Sequence, residues 1–409
     1  METDGNIAAR TAGAGSPAEV FRAFLKLGLT SFGGPIAHLG YFRDEIVVRR
    51  RWIDESGYAD LVALCQFLPG PASSQVGFAL GLLRGGALGA LAAWAAFTLP
   101  SALLLLAFAY GAPLFDGMVG AGLIHGLKLV AVAVVAQAVW GMARTLASGR
   151  ARAGIALAAV LLVVFAGGIV GQIGAILLGG LAGLWLCETA PATTTGRLRF
   201  PVTRAAGAAC LIAFGLLLLL LPAVAAASGA QGLALFDSFY RAGSLVFGGG
   251  HVVLPLLRAE VVQPGWISDD AFLAGYGAAQ AVPGPLFTFA AYLGAAMGPT
   301  PNGLAGGVIA LIGVFLPGLL LVVGALPFWD ALRARPRAQA AMRGANAAVV
   351  GILGAALYDP VWTSAVHAPR DFALALTAFI LLTVWNLPPW IVVGLTAFGG
   401  TVLGVLSAP

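Results

Sequence analysis

The chain has 409 residues, of which 60% are hydrophobic and only 10% are charged, and its net charge is +5. A soluble domain carries about 25% charged residues, so this composition excludes an ordinary soluble protein and indicates one that lipid solvates. The arginines cluster in short loops between apolar segments, where they set membrane topology, so the positive charge does not indicate a nucleic-acid partner.

Residues 1–17 are polar, rich in Gly and Ala, and contain no apolar signal-peptide core, which predicts a cytoplasmic tail. We assign a first repeat to residues 18–188, a linker and connecting transmembrane helix to 189–230, and a second repeat to 231–409. Apolar spans near the ~20 residues that a bilayer requires are predicted close to 86–110, 121–144, 152–168, 170–188, 204–224, 303–326, 343–358, 371–386 and 389–406.

Four other apolar stretches are broken near their middles, at Gly33-Gly34-Pro35, Pro69-Gly70-Pro71, Gly248–His251 and Pro283-Gly284-Pro285. The arms beside each break have about 8 to 14 residues, or about 12 to 21 Å at 1.5 Å per residue. Such arms are too short for the ~30 Å hydrocarbon core. We therefore predict four re-entrant helical hairpins, whose irregular backbone is buried in protein or lines a watered cavity.

The two halves share an ordered set of motifs. Phe32-Gly33-Gly34 returns 215 residues later as Phe247-Gly248-Gly249, and the Q-x-x-P-G-P motif at 66–71 returns 214 residues later at 280–285. Composition alone would repeat apolar residues, but it would not repeat these motifs in the same order. The sequence therefore predicts an internal duplication.

Loop charges indicate that the duplicated halves have opposite orientations. Loop 43–51 carries four arginines and two acids, whereas its partner 258–270 carries one arginine and three acids. The bias reverses between 110–121, with no basic residue, and 328–343, with four arginines. By the positive-inside rule, this pattern favours an inverted-topology repeat over a parallel duplication with chance charge drift.

The predicted fold is accordingly an all-α polytopic membrane protein with two homologous halves in inverted topology. Each half contains two broken re-entrant hairpins and about four transmembrane helices, and one linking helix joins the halves. The polar, basic segment 189–204 precedes that linking helix.

The broken helices predict an anion site. A proline in the first turn leaves free N–H groups at a helix N-terminus, and such termini bind anions. The alternatives are plain loops, close helix packing, hydroxyls bonded to preceding carbonyls, and a packed histidine. The candidate ligands at the breaks are Gly33, Gly34, Gln66, Gly70, Ser73, Ser74, Gly249, Gly250, His251, Gln280, Gly284 and Thr288.

Charged residues inside apolar sequence are costly and therefore candidates for function. Lys26 and Arg241 occupy matching repeat positions, where each can attract an anion, pair with a carboxylate or extend to the headgroups. Lys128 and its repeat partner Asn346 are candidates for lining the cavity. The pairs Arg43/Glu45 and Arg258/Glu260 are candidates either for proton coupling or for structural ion pairs.

The F-G-G-P motif at 32–35, R-x-E at 43–45 and 258–260, F-G-G-G-H at 247–251 and both Q-x-x-P-G-P motifs together resemble the chromate ion transporter family in its long, two-domain form. The resemblance implies a secondary active transporter of the bacterial inner membrane. It would export chromate, driven by membrane potential or a proton gradient, with sulfate as a competing or exchanged anion. A passive oxyanion channel and a sulfate transporter are the alternatives.

An enzyme is not predicted. The sequence contains no Walker loop, C-x-x-C, H-E-x-x-H or Rossmann glycine pattern, and Cys65, Cys187 and Cys210 have no paired spacing. No cofactor or metal is expected. The expected partners are chromate, sulfate and the lipid bilayer, and the sequence leaves open whether the chain forms a homodimer.

Overall fold

A computed structural model of the chain describes residues 15–111, 117–187 and 200–406. Most of the predicted tail, part of loop 110–121 and most of the linker at 189–204 lie outside these residues. The regular structure within the described ranges is helical.

The helices fall into two series joined by α8. The first series is α1 (Pro17–Thr30), α2 (Gly34–Phe42), α3 (Glu55–Phe67), α4 (Ala72–Gly111), α5 (Met118–Leu146), α6 (Arg150–Ala166) and α7 (Gly168–Leu186). The connecting helix is α8 (Arg204–Ser228). The second series is α9 (Gln231–Ser244), α10 (Val253–Val261), α11 (Asp269–Ala279), α12 (Phe289–Ala296), α13 (Gly303–Ala325), α14 (Trp329–Arg333), α15 (Pro336–Ala356), α16 (Pro369–Thr383) and α17 (Pro389–Leu406).

Six helical segments of the described chain are long and apolar enough to cross a membrane. They are Ala72–Gly111, Val119–Leu146, Gly168–Leu186, Arg204–Ser228, Gly303–Arg333 and Pro336–Trp362. This confirms the prediction of a polytopic, all-helical membrane protein. Gly85 and Gly86 have non-helical backbone angles, so α4 consists of two helices, and only the second corresponds to the predicted span at 86–110.

The remaining three predicted spans correspond to α6, α16 and α17, which have 17, 15 and 18 residues. The breaks separate shorter helices, such as α1 with 14 residues, α2 with 9 and α12 with 8. Asp54 caps α3 by accepting from the Gly57 N–H at 2.8 Å, and Ser268 caps α11 by accepting from the Ala271 N–H at 3.2 Å. Asp54 and Ser268 occupy matching repeat positions, so the same local signal starts the same helix in each half.

Helix packing follows the repeat. α1 packs on α4 as α9 packs on α13. α5 packs on α16 and α17, whereas α15 packs on α6 and α7, so each half supplies partners for a long helix of the other. Gly126 on α5 lies against Ala397 of α17, and Gly344 on α15 lies against Gly183 of α7. Small residues at these crossings let the helix backbones approach closely, and the two halves interlock.

Asp60 on α3 joins the first half to the second. Its Oδ1 accepts from Trp329 Nε1 at 3.0 Å and Arg333 Nη1 at 2.8 Å, and its side chain is only 4% exposed. We expect Asp60→Asn to lower the free energy of unfolding by about 1.5–3 kcal/mol, because a buried hydrogen bond between charged groups is weakened. Thermal unfolding of the purified protein measures this.

The matched control is Asp330→Asn, since Asp330 also pairs with Arg333, at 2.7 Å, but is 62% exposed. An exposed ion pair contributes about 0–1 kcal/mol, so this variant should unfold close to wild type. Equal losses in the two variants would contradict the role given to burial of Asp60.

Candidate functional site

Two backbone hydrogen bonds, which occupy matching positions in the repeat, join the four helix breaks in two pairs. The Gly70 N–H donates to the Val246 carbonyl at 2.8 Å, and the Gly284 N–H donates to the Ser31 carbonyl at 2.9 Å. Gly70 matches Gly284 and Ser31 matches Val246 in the duplicated sequence. The second break of each half is therefore bonded to the segment that enters the first break of the other half.

Glycine is required at the second breaks for two reasons. Gly70 has φ of +122° and Gly284 has φ of +100°, in the region that L side chains rarely adopt. A Cβ on Gly70 would lie 3.0 Å from the Cα of Gly318, and one on Gly284 would lie 2.8 Å from Ser101 Oγ. The breaks thus bring the backbone of one half into close contact with the long helices α4 and α13.

A cavity of about 60 Å³ is lined by residues of three of the four breaks, those at 33–35, 248–251 and 283–285, and we call it the helix-break cavity. A water molecule needs about 10–15 Å³ by the same measure, so the cavity holds a few waters or a small ion and excludes a large substrate. Its lining residues are Gly33, Gly34, Val134, Gln137, His251, Ala279, Gln280, Val282, Gly284, Leu286 and Pro389. None of these is charged, so any ligand here is held by neutral groups and by the backbone.

His251 presents an oriented polar group to this cavity. Its Nδ1 lies 2.7 Å from the hydroxyl of Tyr276, which is fully buried. This hydroxyl has no other hydrogen-bond partner among the described residues, so its buried O–H is satisfied in the tautomer in which it donates to Nδ1. A neutral imidazole then carries its proton on Nε2, and His251 is a hydrogen-bond donor through that atom.

Two glutamine amides also line the helix-break cavity. Gln137 Nε2 donates to the Leu382 carbonyl and Gln280 Nε2 donates to the Tyr276 carbonyl, both at 3.4 Å. These bonds are long compared with the usual 2.7–3.2 Å, so each amide gives up little when it turns towards a ligand.

Sequence reasoning missed Gln137. It lies within the apolar run of α5, and a single amide inside such a run was the available signal.

The structure brings five of the predicted ligands into the lining of this cavity: Gly33, Gly34, His251, Gln280 and Gly284. Gly250 lies beside them, with the Cγ of Pro35 3.4 Å from a Cβ placed on it, and Gly249 lies near Met142. Asn346 is near the same break, because its Oδ1 is 3.6 Å from a Cβ placed on Gly248.

The predicted hydroxyl ligands and Gln66 do not line the helix-break cavity. The Ser73 hydroxyl is 3.3 Å from His38 Nδ1, and Thr288 donates to the Pro285 carbonyl at 2.7 Å. Ser74 is buried, and Gln66 is exposed. None of these residues is among the lining residues of the cavity, and their roles as ligands remain predictions.

The predicted cations bind carboxylates. Lys26 donates to Glu45 at 2.7 Å, and Lys128 donates to Asp270 at 2.8 Å. Arg241 donates to both Asp237 and Glu260, at 2.7 and 3.0 Å. The two loop arginines do the same, since Arg43 donates to Glu55 and Arg258 to Asp269.

Two regions of the chain, residues 18–184 and 233–403, match the sequence family described as "Chromate transporter". The chain is similar to the chromate transport protein of Pseudomonas aeruginosa, 31% identical over 380 residues, which cover 86% of this chain and 82% of that protein. It is similar to a probable chromate transport protein of Synechococcus elongatus, 28% identical over 388 residues, 93% of each.

A half-length relative matches as well. The uncharacterized transporter YwrA of Bacillus subtilis is 33% identical over 181 residues, which are 42% of this chain but 97% of that protein. One half of the present chain therefore corresponds to a separate protein elsewhere. No solved structure matches.

Proposed function

The chain belongs to the chromate transporter family, and from this premise we propose that it exports chromate across the bacterial inner membrane as a secondary active transporter. The observation that carries the proposal is the helix-break cavity, a small uncharged chamber where both halves meet. Its size suits a compact oxyanion, and sulfate, with the same tetrahedral shape, is proposed as a competing or exchanged substrate.

Helix termini supply the attraction for an anion in the absence of a charged lining. α2 begins at Gly34, the short turn Leu286–Thr288 follows Pro285, and α17 begins at Pro389. Gly34, Leu286 and Pro389 all line the cavity. The free N–H groups and the positive dipole end of α2 and α17 favour an anion there.

We further propose that the halves are inverted and that access to the cavity alternates as one half moves against the other. Two contacts support this proposal, because each joins segments that are predicted to lie on the same side of the membrane. Arg152 and Arg343 line one cavity, and they belong to the arginine-rich segments 144–152 and 328–343, for which the positive-inside rule predicts the cytoplasmic side. On the predicted outer side, the Tyr110 hydroxyl lies 2.9 Å from a Cβ placed on Gly303.

For coupling, we propose that a proton binds at the cluster of Asp237, Arg241 and Glu260. The two carboxylates are only 9% and 5% exposed and share a single guanidinium, so one proton neutralises the cluster. In the first half, by contrast, Glu45 has Lys26 at 2.7 Å and Arg50 at 2.9 Å, and it needs no proton. The proton carrier is therefore assigned to the second half.

The test is chromate and sulfate flux in proteoliposomes under an imposed pH gradient or potential. We expect concentrative chromate flux in the wild type and, in Glu260→Gln, flux that no longer responds to the pH gradient. Flux that only ever follows the chromate gradient would identify a passive channel, and movement of sulfate without chromate would identify a sulfate transporter.

A separate prediction concerns Gln137, which lines the helix-break cavity from α5. We expect Gln137→Ala to reduce the initial rate of chromate transport at limiting substrate by about 10- to 100-fold, because a hydrogen bond to a charged ligand contributes about 1.5–3 kcal/mol. Gln263→Ala is the control, since Gln263 is exposed and outside the cavity. Equal rates in the two variants would remove Gln137 from the site.

A further inference from the structure

A second cavity, of about 530 Å³, is lined by the turn between α5 and α6, the start of α6, the end of α7 and Arg343 of α15, and it shares no lining residue with the helix-break cavity. We call it the basic cavity, because Arg150, Arg152 and Arg343 line it and no acid is among its described lining residues. Arg152 is oriented by hydrogen bonds to Ser148 Oγ at 2.7 Å and to the Thr145 carbonyl at 3.4 Å. The three arginines come from both halves of the chain.

An apolar groove of about 760 Å³ opens directly from the basic cavity. It follows α6 and α7, and the two spaces share Arg150, Ala151 and Leu186. Along α6 the groove runs from Arg150 to Phe165, about 22 Å at 1.5 Å per residue. One leaflet of the hydrocarbon core is about 15 Å deep, half of the ~30 Å total, so the groove is long enough for an acyl chain of that leaflet.

We propose that the basic cavity and the apolar groove together bind one anionic phospholipid, with its phosphate at Arg150 and Arg152 and an acyl chain along α6. A ligand that fits both spaces must be anionic at one end and apolar over a leaflet's depth. A guanidinium matches a phosphate with two parallel hydrogen bonds. A soluble oxyanion would use the arginines but leave the groove unfilled.

The position of the site agrees with this ligand. Segments 144–152 and 328–343 carry three and four arginines, so the positive-inside rule predicts for both the cytoplasmic side, where the leaflet is rich in anionic lipid. The basic cavity is lined from both halves, because α6 and α7 belong to the first half and Arg343 to the second, so a lipid bound here lies at the contact between the halves. Bound lipid should therefore raise the thermal stability of the purified protein.

Native mass spectrometry of the full chain with phosphatidylglycerol and phosphatidylcholine tests the charged end. We expect tighter binding of phosphatidylglycerol, and about fivefold weaker binding of it for each of Arg150→Gln and Arg152→Gln, because each variant removes one arginine from the proposed phosphate site. The control is Arg144→Gln, which removes a charge from the last turn of α5. Arg144 lies over the Trp140 ring at 6.0 Å and does not line the basic cavity. Equal losses in all three variants would indicate diffuse surface charge and overturn the proposal.

Gly154→Leu tests the apolar end. No atom lies within 4 Å of a Cβ placed on Gly154, so leucine enters the groove without disturbing the protein, and binding of phosphatidylglycerol should weaken. Gly141→Leu on α5 is the control, because Gly141 is equally open and lies outside the groove. If Gly154→Leu binds the lipid like Gly141→Leu, and inorganic phosphate competes at the arginines, the site is for soluble anions and the proposal is wrong.

Discussion

Replacing Gly284 by alanine should reduce chromate transport by about 10- to 100-fold. The backbone of Gly284 has φ of +100°, where a Cβ costs about 1–3 kcal/mol. That Cβ would also lie 2.8 Å from Ser101 Oγ and 3.2 Å from the Phe97 carbonyl. The break must shift to relieve these contacts, which weakens the bond from the Gly284 N–H to Ser31 and deforms the helix-break cavity.

The control for this variant is Gly265→Ala. Gly265 has φ of +78°, but no atom lies within 4 Å of a Cβ placed on it, and it is outside the cavity. In Gly265→Ala the alanine must adopt a positive φ, but its Cβ meets no neighbouring atom. The transport rate of this variant should therefore remain near wild type. Adding Ser101→Ala to Gly284→Ala removes the nearest atom and should restore part of the rate. Transport by Gly284→Ala at the rate of Gly265→Ala would show that this close contact is not needed.

Arg241→Gln should be the most destabilising of the repeat-matched charge variants. Arg241 is the shared partner of Asp237 and Glu260, whose side chains are 9% and 5% exposed. Removing one partner of a buried ion pair costs about 3–5 kcal/mol, a large part of a typical total stability of about 5–15 kcal/mol. The yield of folded protein in size-exclusion chromatography should fall sharply.

Lys26→Gln is the matched variant in the first half. Lys26 is 49% exposed, and after its removal Glu45 retains Arg50 at 2.9 Å and Arg49 at 3.4 Å. The loss should therefore be about 1 kcal/mol or less. Combining Asp237→Asn and Glu260→Gln with Arg241→Gln should recover folded protein, because no buried charge is left unpaired. Similar losses in Lys26→Gln and Arg241→Gln would contradict the difference between the halves.

Local sequence signals were sufficient for the helices and their breaks. The predicted span at 152–168 is α6, Arg150–Ala166, and the span at 303–326 is α13, Gly303–Ala325. The span predicted to start at 343 starts inside a helix, because α15 already begins at Pro336. A proline there occupies the first helical position after an arginine-rich loop. The glycines of the breaks were identified for the same reason, since positive φ is a local requirement that glycine alone meets cheaply.

Hydropathy, repeat and family resemblance were thus readable from the sequence, and the family comparison confirms the resemblance. The partners of the charged residues could not be predicted from the sequence. Lys128 meets Asp270 and Asp60 meets Arg333 across more than 140 residues, and Gln137 reaches the cavity only because α5 packs beside the breaks of the other half. Periodicity and composition describe each helix alone, whereas these contacts depend on which helices the interlocked halves bring together.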